Sequence, residues 1–218
     1  TMEQIEKYVK DMGGGLIMIG GDKSFGAGHY KKTPIEKTLP VFMDAPTDVQ
    51  LSELVLIFVV DKSSSMATSY KDKTKLEMAK VAAFSAIEML NPIDSVGVVT
   101  FDTEFEWIVP LTRAIKRQMI ADKLSQVMEG GGTDLYPALE DAFRILNQVK
   151  SKRKHVIVLS DGETEEADFQ SLVQSMSASG ISISTVAMGK SSHVVLMKSI
   201  AEWGKGRAIF LITHRIST

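Results

Sequence analysis

The sequence predicts an α/β fold: a doubly wound, mostly parallel sheet with one antiparallel edge strand, carried by residues 47–218. Three observations predict it. Short β-rich runs alternate with stretches of helical period, which implies right-handed crossovers and a sheet covered on both faces. The run Leu54–Val60 is apolar throughout, as suits a strand buried on both faces. The runs Ser95–Phe101 and Phe105–Leu111 are separated only by "DTE". That is hairpin spacing and makes the second run an antiparallel edge strand.

The expected strands are Leu54–Val60, Ser95–Phe101, Phe105–Leu111, His155–Ser160, Ile181–Ala187 and Arg207–Ile212. The first helix after residue 47 starts at a capping box, Thr74 to Glu77, and lines Leu76, Ala79, Ala83, Ile87 and Leu90 along one face. Pro92 and Asp94 mark the turn that follows it. A second helix, about 113–127, shows Ile115, Met119, Leu124 and Val127. A third, about 136–149, carries Pro137 in its first turn and turns Leu139, Ala142, Phe143 and Leu146 inward. A fourth, about 167–178, presents Phe169, Leu172, Val173 and Met176 and stops near Gly180. A fifth, about 193–203, is closed by Gly204.

Residues 1–46 read differently. A helix, Met2–Met12, runs through "GGG" into a strand, Leu16–Ile19, and an irregular tail follows. One αβ unit is too small to hold a core alone. It is expected to pack on the larger domain or to be the remnant of a neighbour. The N-terminus "TMEQIEKYVK" lacks the apolar core of a signal peptide, and both ends read as abrupt, so the expectation is a piece of a longer chain. No apolar run approaches the length of a spanning helix.

Composition narrows the function classes. The chain has 218 residues, 44% hydrophobic and 24% charged, which is ordinary for a globular protein. A net charge of −2 argues against a nucleic-acid binder, which needs a basic face. The sequence holds no Cys, which excludes a disulfide framework, a thiolate zinc site and a Cys nucleophile.

Three loops leave the carboxyl ends of expected strands, where open parallel sheets bind their ligands. They are "DKSSS", with Asp61, Ser63 and Ser65 at alternate positions; "GGGTD", with Thr133 in a glycine-rich turn; and "LSDGE", with Asp161 at the strand end. Together they offer three hydroxyls and two carboxylates. Hard oxygen donors of this kind suit Mg²⁺ or Mn²⁺. Each piece alone is a common turn; their joint occurrence at three strand ends is what points to a metal. Two carboxylates at most balance a divalent ion, so an open coordination position would favour an acidic ligand from outside.

These residues resemble the von Willebrand factor type A domain, and D-x-S-x-S … T … D resembles that family's metal-ion-dependent adhesion site. Asp61, Ser63, Ser65, Thr133 and Asp161 match its five ligand positions without a departure. The resemblance implies bound Mg²⁺, a partner's Glu or Asp completing the coordination, and a protein-binding module rather than an enzyme. The stretch "YVKDMGGGLIMIGGDKSFGAGHYKKTPIEKTLPV" resembles part of a class I glutamine amidotransferase-like domain. Such a domain joined to a von Willebrand A domain occurs in bacterial membrane proteins, which implies a membrane-anchored parent. The catalytic Cys of true amidotransferases has no counterpart here.

Two other readings stand beside the binding module. One is a metal-dependent hydrolase or a non-binding part of an amidotransferase-like enzyme, which turnover of a phosphoester or amide would reveal. The other is a scaffold whose metal only stabilises the fold, which would lack an open position. Ser63 and Ser65 as nucleophiles need a positioned His, and His29, His155, His193 and His214 show no such relation in sequence. Lys62, Met66 and Tyr136 flank the expected metal and are candidates for shaping partner choice. Lys71, Lys73 and Lys75 read as a solvated basic face. Trp107 and Trp203 read as packing residues.

Overall fold

The computed structural model describes residues 1–21, 24, 28–41, 43, 53–70, 72–188 and 194–211. The chain divides into two compact units, Thr1–Leu51 and Ser52–Thr218. The boundary expected at 46/47 lies outside the described residues, as do Ile212, His193, His214 and Lys71.

In the first unit α1 (Met2–Met12) forms where the sequence predicts it. Gly13 ends it in the left-handed region at φ 71°, where glycine carries no Cβ penalty. A short α2 (Pro34–Thr38) follows, with Pro34 in its first turn. The Glu36 carboxylate accepts the backbone N–H of Lys32 and of Met43, each at 2.6 Å, and so ties the flanking segments to α2. Ile35 and Met43 are the buried apolar residues described in this unit. The strand expected at Leu16–Ile19 does not form: Ile17 is 87% and Ile19 91% exposed. A strand needs a paired neighbour to satisfy its backbone groups, and no strand is described elsewhere in this unit.

The second unit contains, in chain order, β1 (Leu54–Asp61), β2 (Ser69–Tyr70), β3 (Lys73–Thr74), α3 (Lys75–Glu88), β4 (Ser95–Phe101), β5 (Phe105–Arg113), α4 (Arg117–Ser125), α5 (Leu135–Gln148), β6 (Arg153–Ser160), α6 (Phe169–Ala178), β7 (Ile181–Met188), α7 (Val194–Trp203) and β8 (Lys205–Leu211). The strand order is β5-β4-β1-β6-β7-β8, all parallel except the antiparallel pair β4–β5. The doubly wound sheet with its antiparallel edge is therefore as the sequence predicts. Pro110 is tolerated in β5 because that strand is an edge.

β1 is central, and its inward residues alternate between two cores. Val55, Ile57 and Val59 pack on one face with Leu139, Ala142 and Leu146 of α5 and with residues of α6 and α7. Leu56, Phe58 and Val60 pack on the other with Leu76, Ala79 and Ala83 of α3 and with α4. This two-sided burial is why Leu54–Val60 shows no polar alternation. The chain leaves β1 for β4 on one side and later returns to β6 on the other. The topological switch point thus lies between the carboxyl ends of β1 and β6.

Two further expectations need correction. The second helix starts as a 3-10 turn, Ala114–Lys116, before α4. The tighter turn shifts the phase, so Ile115 is 68% exposed while Ala114 and Ile120 are buried. The last strand begins at Lys205, two residues earlier than expected. The small hairpin β2–β3 was not anticipated from the sequence at all.

Candidate metal centre

The three loops meet at the switch point and are tied there by hydrogen bonds, although the second connects α4 to α5 and does not leave a strand end as expected. The first loop holds the second: Gly130 N–H donates to Lys62 O at 2.8 Å, and Ser64 donates to Gly131 O through N–H at 3.3 Å and through Oγ at 2.9 Å. The second holds the third: Glu165 N–H donates to Thr133 O at 3.1 Å, and Leu135 N–H donates to Thr164 Oγ1 at 2.9 Å. The first is also tied to β4, through Lys62 N–H on Phe101 O at 2.9 Å.

Asp61 ends β1 and is fully buried. Its Oδ1 accepts Ser63 N–H at 2.8 Å, and its Oδ2 accepts Ser160 Oγ–H at 2.6 Å. Burial pushes its carboxyl up to about 6; the bonds from Ser160 and Ser63 pull the other way, and the charge of Asp161 adds to the rise. Ser63 is buried and Ser65 half-buried at the start of a 3-10 turn, Ser64–Ala67. Their hydroxyl oxygens lie 3.1 Å apart. Met66, fully buried in the core under α3, anchors this turn. It therefore does not face a partner, contrary to the sequence expectation.

Thr133 is half-buried in the second loop, just before Asp134, which caps α5 by accepting Tyr136 N–H at 3.3 Å. Gly131 takes φ +60°, and a Cβ there would meet Asp102 Cγ at 2.8 Å. Tyr136 is half-buried and packs edge-on against Phe169, ring centroids 5.5 Å apart. Asp161 is 2% exposed beyond β6, and Lys75 Nζ reaches its Oδ2 at 2.7 Å. Lys62 pairs with Asp102 in the β4–β5 hairpin, and this lysine holds the Asp102 carboxyl below its ordinary value against the effect of burial.

The donor set can be compared with what a small divalent cation requires. All of its side-chain donors are oxygens, the ligands Mg²⁺ and Mn²⁺ take. Neighbouring ligands in an octahedron with Mg–O distances of about 2.1 Å stand about 3 Å apart, and the Ser63 and Ser65 hydroxyls have that spacing. Among the described residues there is no cluster of three or more His, Cys, Asp or Glu side chains able to hold a metal. Such a cluster would suit a carboxylate-rich or histidine site, not one of hydroxyls with two carboxylates. In donor chemistry the residues present fit the ion.

The von Willebrand factor type A domain family matches residues 56–163, which run from β1 through the third loop. The chain carries a von Willebrand factor type A domain. Over 169 residues it is 28% identical to calcium-activated chloride channel regulator 1 of Equus caballus, covering 74% of this chain but 18% of that protein. The chain thus spans less than a fifth of that relative's length. The von Willebrand factor type A structure from Catenulispora acidiphila is similar at a TM-score of 0.65 and 25% identity, over 73% of this chain and 39% of that one. The manganese-loaded TRAP protein of Plasmodium vivax shares the fold at a TM-score of 0.59 and 16% identity, over 69% of this chain and 63% of that one.

Sequence reasoning missed three residues of this candidate site. Ser160 precedes Asp161 and was read only as the end of a strand; strand alternation was the available signal for its inward position. Asp102 was hidden in a "DTE" read as a hairpin turn. Lys75 was read as part of a solvated face, yet its side chain is 18% exposed and directed at Asp161. The capping box that makes Lys75 the first residue of α3 was the signal that could have found it. Lys73 is exposed, as expected. Trp107 and Trp203 pack against the core, and the Trp107 indole N–H donates to Asp141 at 2.8 Å.

Proposed function

We propose that this A domain is a metal-dependent protein-binding module. Asp61, Ser63, Ser65, Thr133 and Asp161 hold one Mg²⁺ or Mn²⁺, and a partner's Asp or Glu side chain completes its coordination. The observation that carries this reading is the convergence of the three loops at the switch point, two of them delivering oxygen donors from the ends of β1 and β6 and the second from the turn between α4 and α5. When bound, the ion supplies a coordination position open to an external carboxylate. The protein's own residues do the rest. Ser160 and Ser63 N–H orient Asp61, Met66 fixes the serine turn, and the glycine loop lets the backbone of residues 130–133 lie close to the first loop.

Five side chains give at most five donors if each binds once, while Mg²⁺ demands six positions. At least one position is left for water or a partner. A carboxylate on an incompletely neutralised ion is a charge-assisted contact and acts as a hot spot. The module reads as non-enzymatic, and its parent as a membrane-anchored protein; no described helix is itself long and apolar enough to cross a membrane.

Calorimetric titration with MgCl₂ and with MnCl₂ tests the metal. One site in the native chain and none in Asp61→Ala is the expected result, and equal binding by both proteins overturns it. A pull-down with the full-length parent protein, with and without chelator, tests the partner. Its capture should vanish with chelator and with Thr133→Ala, and should fall sharply when one Asp or Glu of the partner becomes Asn or Gln.

A further inference from the structure

We infer that Lys75 is a tethered counter-cation of the metal centre, neutralising Asp161 when no divalent ion is held and weakening the hold on the ion when one is. This rests on the metal reading above and deepens it.

The geometry begins with the helix start. Thr74 caps α3, its Oγ1 accepting Glu77 N–H at 3.1 Å while its own N–H donates to Glu77 Oε2 at 2.7 Å. Lys75 is the first residue of that helix, and its N–H donates to Thr68 O at 3.1 Å, which locks the backbone against the serine loop. From this fixed base the side chain crosses to the end of β6 and places Nζ 2.7 Å from Asp161 Oδ2. The pair spans 86 residues of sequence, and its side chains are 18% and 2% exposed. A lysine on a solvated face gains little from an ion pair. This one is largely withdrawn from water, on a carboxylate that is itself buried.

The charge count gives that placement a role. Asp61 and Asp161 end neighbouring strands and are both buried. Two ionised carboxylates at one sheet edge repel, and each costs desolvation unless paired. With both ionised, Lys75 brings the charge of the set from −2 to −1. A divalent ion then brings it to +1, whereas without Lys75 the same ion would bring it to 0. The ammonium therefore stabilises the metal-free site and opposes the cation. It also leaves the loaded site positive, which favours an anionic ligand from outside.

The test uses the 218-residue chain and its Lys75→Met, Lys75→Gln and Lys75→Arg variants. Two measurements are made: calorimetric titration with MgCl₂, and thermal melting in chelator and in saturating MgCl₂. The neutral variants should bind Mg²⁺ on the order of ten-fold more tightly or better. They should also melt lower in chelator and gain a larger upward shift from MgCl₂ than the native chain. Lys75→Arg keeps the charge and should stay near native affinity. Two neutral variants are used so that a packing defect in one does not decide the outcome. Native Mg²⁺ affinity in both, or a loss of melting temperature equal with and without MgCl₂, overturns the inference and leaves a merely structural ion pair. Absence of Mg²⁺ binding in every protein overturns the metal reading, and this inference with it.

Discussion

Ser160 and Asp61 are joined by a 2.6 Å hydrogen bond between the ends of adjacent strands, 99 residues apart in sequence, with both side chains buried. Ser160 Oγ also accepts Gly162 N–H at 2.9 Å. One hydroxyl thus fixes the first carboxylate and shapes the third loop. Ser160→Ala leaves a buried carboxylate oxygen and a buried N–H without that partner. The expected loss is about 1–3 kcal/mol of stability, read as a lower urea midpoint at unchanged slope.

Asp61 sets a pH dependence in the metal-free protein. Burial raises its carboxyl to about 6, above its value in the unfolded chain. A raised folded-state value means the folded protein holds the proton more tightly. The associated stability is fully present below the unfolded value near pH 4 and is lost as pH rises through about 6. A shift of that size corresponds to about 3 kcal/mol. In chelator, the native chain should therefore lose stability relative to Asp61→Asn between pH 4 and pH 7. Paired denaturation curves across that range check it, because the other titrating groups are common to both proteins.

Gly131 is a position where only glycine fits. Its φ is +60°, and a Cβ would come within 2.8 Å of Asp102 Cγ. Asp102 cannot easily yield, because Lys62 holds its carboxylate and Glu104 N–H donates to its Oδ1 at 3.0 Å. Gly131→Ala should cost about 1–2 kcal/mol in backbone strain alone. It should also weaken Mg²⁺ binding, since Gly131 O accepts both bonds from Ser64. Denaturation and calorimetry on the same variant measure the two effects.

Thr74→Ala removes the cap of α3 and should cost about 1 kcal/mol. Its consequence at the site should differ from that of Lys75→Met. The lysine remains but its base is looser, so Mg²⁺ affinity should rise by less than in the neutral lysine variants. Thermal melting and titration of the two variants side by side distinguish them.

Much of this protein was legible in the sequence, and the reason is local. Leu54–Val60 had to be a central strand because an apolar run without alternation is stable only between two covered faces. Thr74 and Glu77 announced a helix start because their side chains satisfy backbone groups within one turn. Asp61, Ser63, Ser65 and Asp161 were nameable as candidates because strand ends in a doubly wound sheet gather at one edge, whereas Thr133, in the turn between α4 and α5, was marked only by its glycine-rich loop. Tertiary structure decided the rest. Ile115 turned outward because a 3-10 turn shifted the helical phase, and Leu16–Ile19 did not form a strand because pairing depends on a neighbour that the run itself does not specify. Ser160, Asp102 and Lys75 acquired their places through contacts spanning tens of residues. A hydroxyl, a turn carboxylate and a surface lysine carry no local mark of the group they will meet. Their roles depend on which strands become neighbours, and that is settled only when the sheet is assembled.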